Sequence, residues 1–162
     1  MQERIAAWLD KSYEPTGARW QTNNSLYAIG SGGLFGEGLG NSKQKFLYVS
    51  EPQNDFIFSI VCEELGFIGA ALIIVLFALL VWRGMIIAMN CEDKFGSFLV
   101  IGIISQVGIQ VIFNILVVTD TVPNTGIALP FFSYGGTALL MLLGEMGVVL
   151  SVSRRTKIKK IN

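Results

Sequence analysis

Three carboxylates near the middle of the chain offer the clearest chemistry. Asp55 lies in Ser50-Glu51-Pro52-Gln53-Asn54-Asp55-Phe56-Ile57-Phe58-Ser59, where a polar, glycine-rich segment meets a long apolar run. After Glu63 and Glu64 come eighteen residues, Leu65 to Trp82, without a charge before Arg83. That is enough to cross a bilayer core. A carboxylate at such a junction can face water while touching something embedded in lipid. It suits a general base for a lipid-linked polar substrate. Carboxylates in a membrane are costly and seldom idle, which favours function for Asp55 and for at least one of Glu63 and Glu64.

On a helix beginning near Asp55, Ser59, Cys62 and Gly66 fall within about 40° of it, with Glu63 about 80° away and Glu64 on the opposite side. Gly69 flanks the stripe. This small, polar stripe could wall a groove; equally, Gly66 and Gly69 could let a neighbouring helix pack closely.

The run Gly30-Ser31-Gly32-Gly33-Leu34-Phe35-Gly36-Glu37-Gly38-Leu39-Gly40 lacks the βαβ context of a dinucleotide fingerprint. Its amides could form an anion nest, with Lys43 and Lys45 following at once. A flexible loop is the plainer alternative. Further on, Gln106 and Glu145 stand at similar depth from one membrane face and could hydrogen-bond, with Glu145 protonated. That pair reads as structural. Asn114 lies near the outer end of its span, where it could line the groove. Pro123 and Pro130 bracket Asn124-Thr125-Gly126-Ile127-Ala128-Leu129, and Phe131-Phe132-Ser133-Tyr134-Gly135-Gly136 follows. Irregular backbone at a membrane survives only against protein or a wet cavity, so this re-entrant-like loop is a second candidate wall.

Composition says what must position these groups. With 52% hydrophobic residues, 15% charged and a mean hydropathy of +0.56, the chain reads as a membrane protein. The absence of histidine excludes His-based acid/base chemistry and His-ligated metals. Cys62 and Cys91 lie too far apart to bridge. The basic cluster Arg154, Arg155, Lys157, Lys159 and Lys160 is a short tail beside a membrane segment, not a nucleic-acid footprint.

The predicted architecture is an all-α polytopic membrane protein with spans at 56–82, 95–118 and 134–153. They are linked by a loop at 83–94 and the re-entrant-like loop at 119–133. The first 55 residues form a large outer segment, turn-rich after a short helix around Glu3–Leu9. Arg83, Lys94 and the tail 154–162 place one side in the cytoplasm by the positive-inside rule. Residues 1–55, Asp55 included, are then extracytoplasmic. The N-terminus lacks an apolar leader, so the chain is expected to be the tail of a longer protein.

Asn54-Asp55-Phe56-Ile57-Phe58-Ser59 with Glu63-Glu64-Leu65-Gly66-Phe67-Ile68-Gly69 resembles the signature of the SEDS family, the FtsW/RodA/SpoVE group. So do Gly36-Glu37-Gly38-Leu39-Gly40-Asn41-Ser42-Lys43-Gln44-Lys45 and the run Pro123 to Gly136. The likeness covers nearly the whole chain, and Gly-Asn-Ser-Lys-Gln-Lys and Pro-Asn-Thr-Gly favour the FtsW/SpoVE branch. It implies a fragment of a ten-helix fold, comprising the large outer loop and the last three helices. Two departures flank Asp55: Asn54 where Thr is usual, and Val49-Ser50-Glu51 where Leu-Pro-Glu is common.

The activity implied is a peptidoglycan glycosyltransferase that polymerises lipid II at the outer face of the bacterial cytoplasmic membrane, in division or sporulation. The family's essential aspartate falls on Asp55. Lys43, Lys45, Arg4, Arg19 and the glycine loop could stabilise the leaving pyrophosphate. Gln21, Glu51, Glu63, Asn114 and Ser133 are further substrate-binding candidates. A divalent cation could assist, although no residue set identifies one. Implied partners are lipid II, undecaprenyl pyrophosphate, a class B penicillin-binding transpeptidase and other divisome or sporulation membrane proteins, with no nucleic acid. Two rivals stay open: a lipid II flippase using Gln106, Asn114 and Glu145, and a non-catalytic scaffold for the transpeptidase.

Overall fold

A computed structural model describes residue 8 and residues 18–41, 55–132 and 135–156. Four helices follow in order: α1 (Ala18–Ser31), α2 (Ile57–Met89), α3 (Lys94–Val118) and α4 (Gly136–Arg155). No strand occurs among the described residues. The last three helices are long and apolar enough to cross a membrane.

The α2–α3 hairpin is the frame. Its tight approach needs Gly84, where a β-carbon would run into the Ile104 side chain. Between the helices, Asp93 caps α3 by accepting from the amides of Phe95 (3.2 Å) and Gly96 (3.1 Å). Ser97 Oγ donates to the Ala88 carbonyl at 2.7 Å, which ties the two helix ends together. Because α2 continues to Met89, residues 83–89 are helical and the connection is only Asn90–Asp93. The predicted loop at 83–94 is corrected accordingly: Arg83 projects from a helix, and nothing in that stretch obliges the helix to stop earlier.

Two apolar clusters hold the helices. The one nearer the start of α2 contains Phe56, Phe58, Cys62, Ala70, Phe77, Val111, Val117, Val118 and Leu129. The one at the other end joins Ile87 and Ala88 to Val100, Ile104 and Val149 of α3 and α4.

Helix α1 departs from the turn-rich chain that the sequence predicts for this stretch. The sequence Ala18–Ser31 is polar and carries Asn23 and Asn24, which are poor helix formers. Tertiary contact supplies what propensity lacks. Thr22, Asn24, Ser25 and Ala28 are buried, and Ser25 Oγ donates to the Val118 carbonyl (3.0 Å) at the end of α3. That carbonyl belongs to the last turn of a helix, where acceptors lack intrahelical partners. The predicted helix at Glu3–Leu9 lies outside the described residues, apart from Trp8. Its indole Nε1–H donates to the Asp120 carbonyl at 3.1 Å.

Candidate functional site

Asp55 occupies the turn that opens α2, and it is half-buried. Phe56 behind it is buried, and its carbonyl accepts from both the Ser59 amide (3.1 Å) and Ser59 Oγ (2.7 Å). The main chain of Asp55 is held from α3. Asn114 Nδ2 donates to the Asp55 carbonyl and to the Ile127 carbonyl, each at 2.8 Å. Asn114 itself is fully buried. It therefore does not line an open groove, as the sequence suggested; it joins the turn bearing Asp55 to the loop after α3.

That loop goes down into the helices. Leu129 and Pro130 are buried, and the rings of Phe131 and Phe132 meet Phe77 at centroid distances of 6.4 and 6.3 Å. Phe77 is eleven residues past Gly66, about 16 Å along α2 at 1.5 Å per residue. The loop is thus re-entrant in form. Phe131 adopts a φ of 67°, a costly conformation for an aromatic residue that its packing on Phe77 holds in place.

On the other side of Asp55, the glycine run does something the sequence did not suggest. Helix α2 is broken at Gly66, with φ 68° and ψ −169°. In an unbroken helix the amides of Phe67 and Ile68 would pair with the carbonyls of Glu63 and Glu64. Instead, Glu37 and Gly38 donate to Glu63 and Glu64 at 2.9 and 3.1 Å. Phe67 and Ile68 donate to the carbonyls of Gly33 and Leu34 at 2.9 and 3.3 Å. The loop satisfies all four groups that the break releases. It is neither simply flexible nor a free anion nest, since the amides of Glu37 and Gly38 are taken by carbonyls.

The break also ends the predicted stripe. Ser59, Cys62, Glu63 and Gly66 are buried, so this face packs against protein and does not wall an open groove. Gly69, beyond the break, no longer keeps the register of Asp55. Glu64 is half-buried, and its Oε1 has no partner.

A cleft of about 400 Å³ lies between α3, the re-entrant loop and α4. Gln106, Gln110 and Glu145 supply its polar groups, while Ile127, Leu129, Phe131, Leu139 and Leu142 are among its apolar walls. Glu145 Oε2 is buried without a partner, so the predicted Gln106–Glu145 hydrogen bond is not formed. Their shared cleft was legible only as similar depth. Of the remaining candidates, Gln21 lies half-buried on α1. Arg19 is on the same helix. Arg4, Lys43, Lys45, Glu51 and Ser133 lie outside the described residues. Among the described residues no group of three or more Cys, Asp or Glu is arranged to hold a metal ion.

A broken, loop-stapled helix beside a hairpin and a re-entrant loop defines a polytopic helical membrane protein with its irregular backbone gathered at one end. Residues 1–158 match the family model FTSW_RODA_SPOVE, described as a cell cycle protein, and the chain belongs to that family. It is 54% identical over 155 residues to stage V sporulation protein E of Bacillus subtilis, covering 96% of this chain and 42% of that protein. It is 48% identical to the probable peptidoglycan glycosyltransferase FtsW of Trichlorobacter lovleyi, covering 96% and 41%. Among solved structures it resembles, at TM-score 0.70 and 29% identity, a chain of a peptidoglycan synthase complex described as coordinating polymerization and crosslinking. That likeness covers 98% of this chain and 43% of the other. It also resembles a mutant of the Thermus thermophilus rod shape determining protein RodA, at TM-score 0.63 and 34% identity over 82% of this chain and 40% of that one. The chain thus spans about two-fifths of the length of the relatives it matches.

Proposed function

We propose that this chain contributes the catalytic base and the re-entrant loop of a peptidoglycan glycosyltransferase, which polymerises lipid II at the outer face of the bacterial cytoplasmic membrane. The observation that carries the proposal is the setting of Asp55. It sits in a turn at the head of a membrane helix, with its backbone tied to a re-entrant loop. Family membership and the relatives named as probable glycosyltransferases support the reaction class. Whether it serves division or sporulation, the chemistry is the same.

In this reaction the GlcNAc 4-hydroxyl of the acceptor attacks C1 of the donor MurNAc and inverts it. The C1–O bond to undecaprenyl pyrophosphate breaks, and the Asp55 carboxylate takes the hydroxyl proton. The leaving pyrophosphate carries negative charge, for which Lys43, Lys45, Arg4 and Arg19 are the candidate partners. Gln21, Glu51 and Ser133 remain candidates for sugar contacts. Glu63 is buried against the glycine loop, and supporting Asp55 suits it better than reaching substrate. A class B penicillin-binding transpeptidase is the proposed partner, in keeping with the similarity to a synthase complex.

Length supports the depth assigned to Asp55. The 23 residues Phe67–Met89 rise about 35 Å, which alone covers a hydrocarbon core of about 30 Å. Segment 57–65, with Glu63 and Glu64, then stands at the outer interface. Arg154 and Arg155 at the end of α4 support a cytoplasmic tail.

One observation favours a second reading. The cleft holding Gln106, Gln110 and Glu145 puts polar groups along α3 and α4, as a lipid II transporter would need. Polymerisation and transbilayer movement of lipid II, measured side by side for Asp55→Asn and Glu145→Gln, separate the two. The transferase reading expects polymerisation lost only in Asp55→Asn; loss of movement in Glu145→Gln with polymerisation intact in Asp55→Asn would establish the transporter instead.

A further inference from the structure

Asn114 has properties that packing alone does not explain. It is fully buried on α3, in the same stretch as the buried Val111, Val117 and Val118. Its Oδ1 is buried without a partner. Only its Nδ2 is used, and both hydrogens go to carbonyls from segments 59 residues before and 13 residues after it. Two carbonyl acceptors converging on one point need a single nitrogen with two hydrogens, which a carboxamide supplies. Leucine offers none, a carboxylate offers repulsion, and a neutral carboxylic acid offers one.

We infer that Asn114 is the positioning residue for Asp55, locking the turn that bears it to the re-entrant loop at Ile127 so that base and loop meet the substrate as one unit. This rests on the reading of Asp55 as the base. The anchor acts on the main chain of Asp55 through its carbonyl and not on its carboxylate. Losing it lets the carboxylate drift, and a misplacement of about 1 Å can cost about 10²-fold in rate.

The test uses a full-length context: a chimera in which this chain replaces the region it matches in the Bacillus subtilis relative, assayed on lipid II with a class B transpeptidase present. Asn114→Leu is expected to lower kcat about 10²-fold with KM changed less than about twofold. Asn114→Asp, which as a neutral acid keeps one of the two bonds, is expected to lose about tenfold. It also decides the matter if the leucine variant fails to accumulate. Added to Asp55→Asn, Asn114→Asp should lower the residual rate by less than about twofold, because its effect runs through Asp55. Wild-type kcat in Asn114→Asp, or its full loss repeated in the Asp55→Asn background, overturns the inference. Full activity of Asp55→Asn alone would instead overturn the base assignment, a separate result.

Discussion

A β-carbon on Gly66 would collide with the backbone nitrogen of Gly36, so the broken helix and the loop that staples it meet glycine against glycine. The constraint is reciprocal: a β-carbon on Gly36 would run into the Glu64 carbonyl. The dihedrals of Gly66 fall in a region that only glycine occupies readily. Asp55 is followed directly by the helical segment this staple holds, so the position of the proposed base depends on two glycines distant in sequence.

Gly66→Ala and Gly36→Ala should each be strongly destabilising. Backbone strain alone is worth about 1–3 kcal/mol, and the collisions add to it. Gly30→Ala is the control, since it lies in α1 with open space around its α-carbon. It should be neutral or stabilising by about 0.5–1 kcal/mol. Thermal unfolding in detergent ranks the three; a Gly66→Ala protein as stable as Gly30→Ala would mean that the staple does not hold the helix.

The cap on α3 gives a smaller, local prediction. Asp93 satisfies two amides that would otherwise lack partners, and Asp93→Ala should cost about 1 kcal/mol. Polymerisation by a folded Asp93→Ala protein should be unchanged, because this cap lies at the opposite end of α3 from Asn114. A selective loss of kcat would show that the α2–α3 turn takes part in the chemistry.

Topology can be read with cysteines. Thr156 is buried and is a poor reporter of the tail, whereas Asn41 and Glu92 are exposed on loops at opposite ends of α2. With Cys62 and Cys91 replaced, an impermeant thiol reagent on intact cells should label Asn41→Cys and spare Glu92→Cys. Labelling of Glu92→Cys alone would turn Asp55 to the cytoplasm and exclude glycan synthesis outside.

The three long helices were legible because uninterrupted apolar runs announce themselves without knowledge of neighbours. Helix α1 was not, since its polar sequence folds on contacts such as Ser25 with Val118. Nor was the break in α2. Gly66 sits in an apolar stretch that scans as continuous helix, and only the arrival of residues 33–38 makes breaking it favourable. Asn114 stands out in the sequence as a polar residue near the outer end of its span, but which carbonyls it holds is a tertiary fact. The polar stripe from Asp55 failed for the same reason, as helical spacing cannot tell a groove wall from a face packed against another loop. Asp55 stands out as a candidate by its position at the polar–apolar junction, and Glu63 by its charge beside an apolar run. The burial of Glu63 is not legible in the sequence.

The central claim is that the Asp55 carboxylate is the base, and the most direct measurement is glycan polymerisation from purified lipid II by the Asp55→Asn protein. Asparagine keeps size and polarity and removes only the basic oxygen, so expression and thermal stability should stay close to wild type. Polymer formation should fall by at least the roughly 10²–10⁴-fold that loss of a general base brings. Glycan strands made by the Asp55→Asn protein at near wild-type rate, in the full-length context with its transpeptidase partner, would contradict the account.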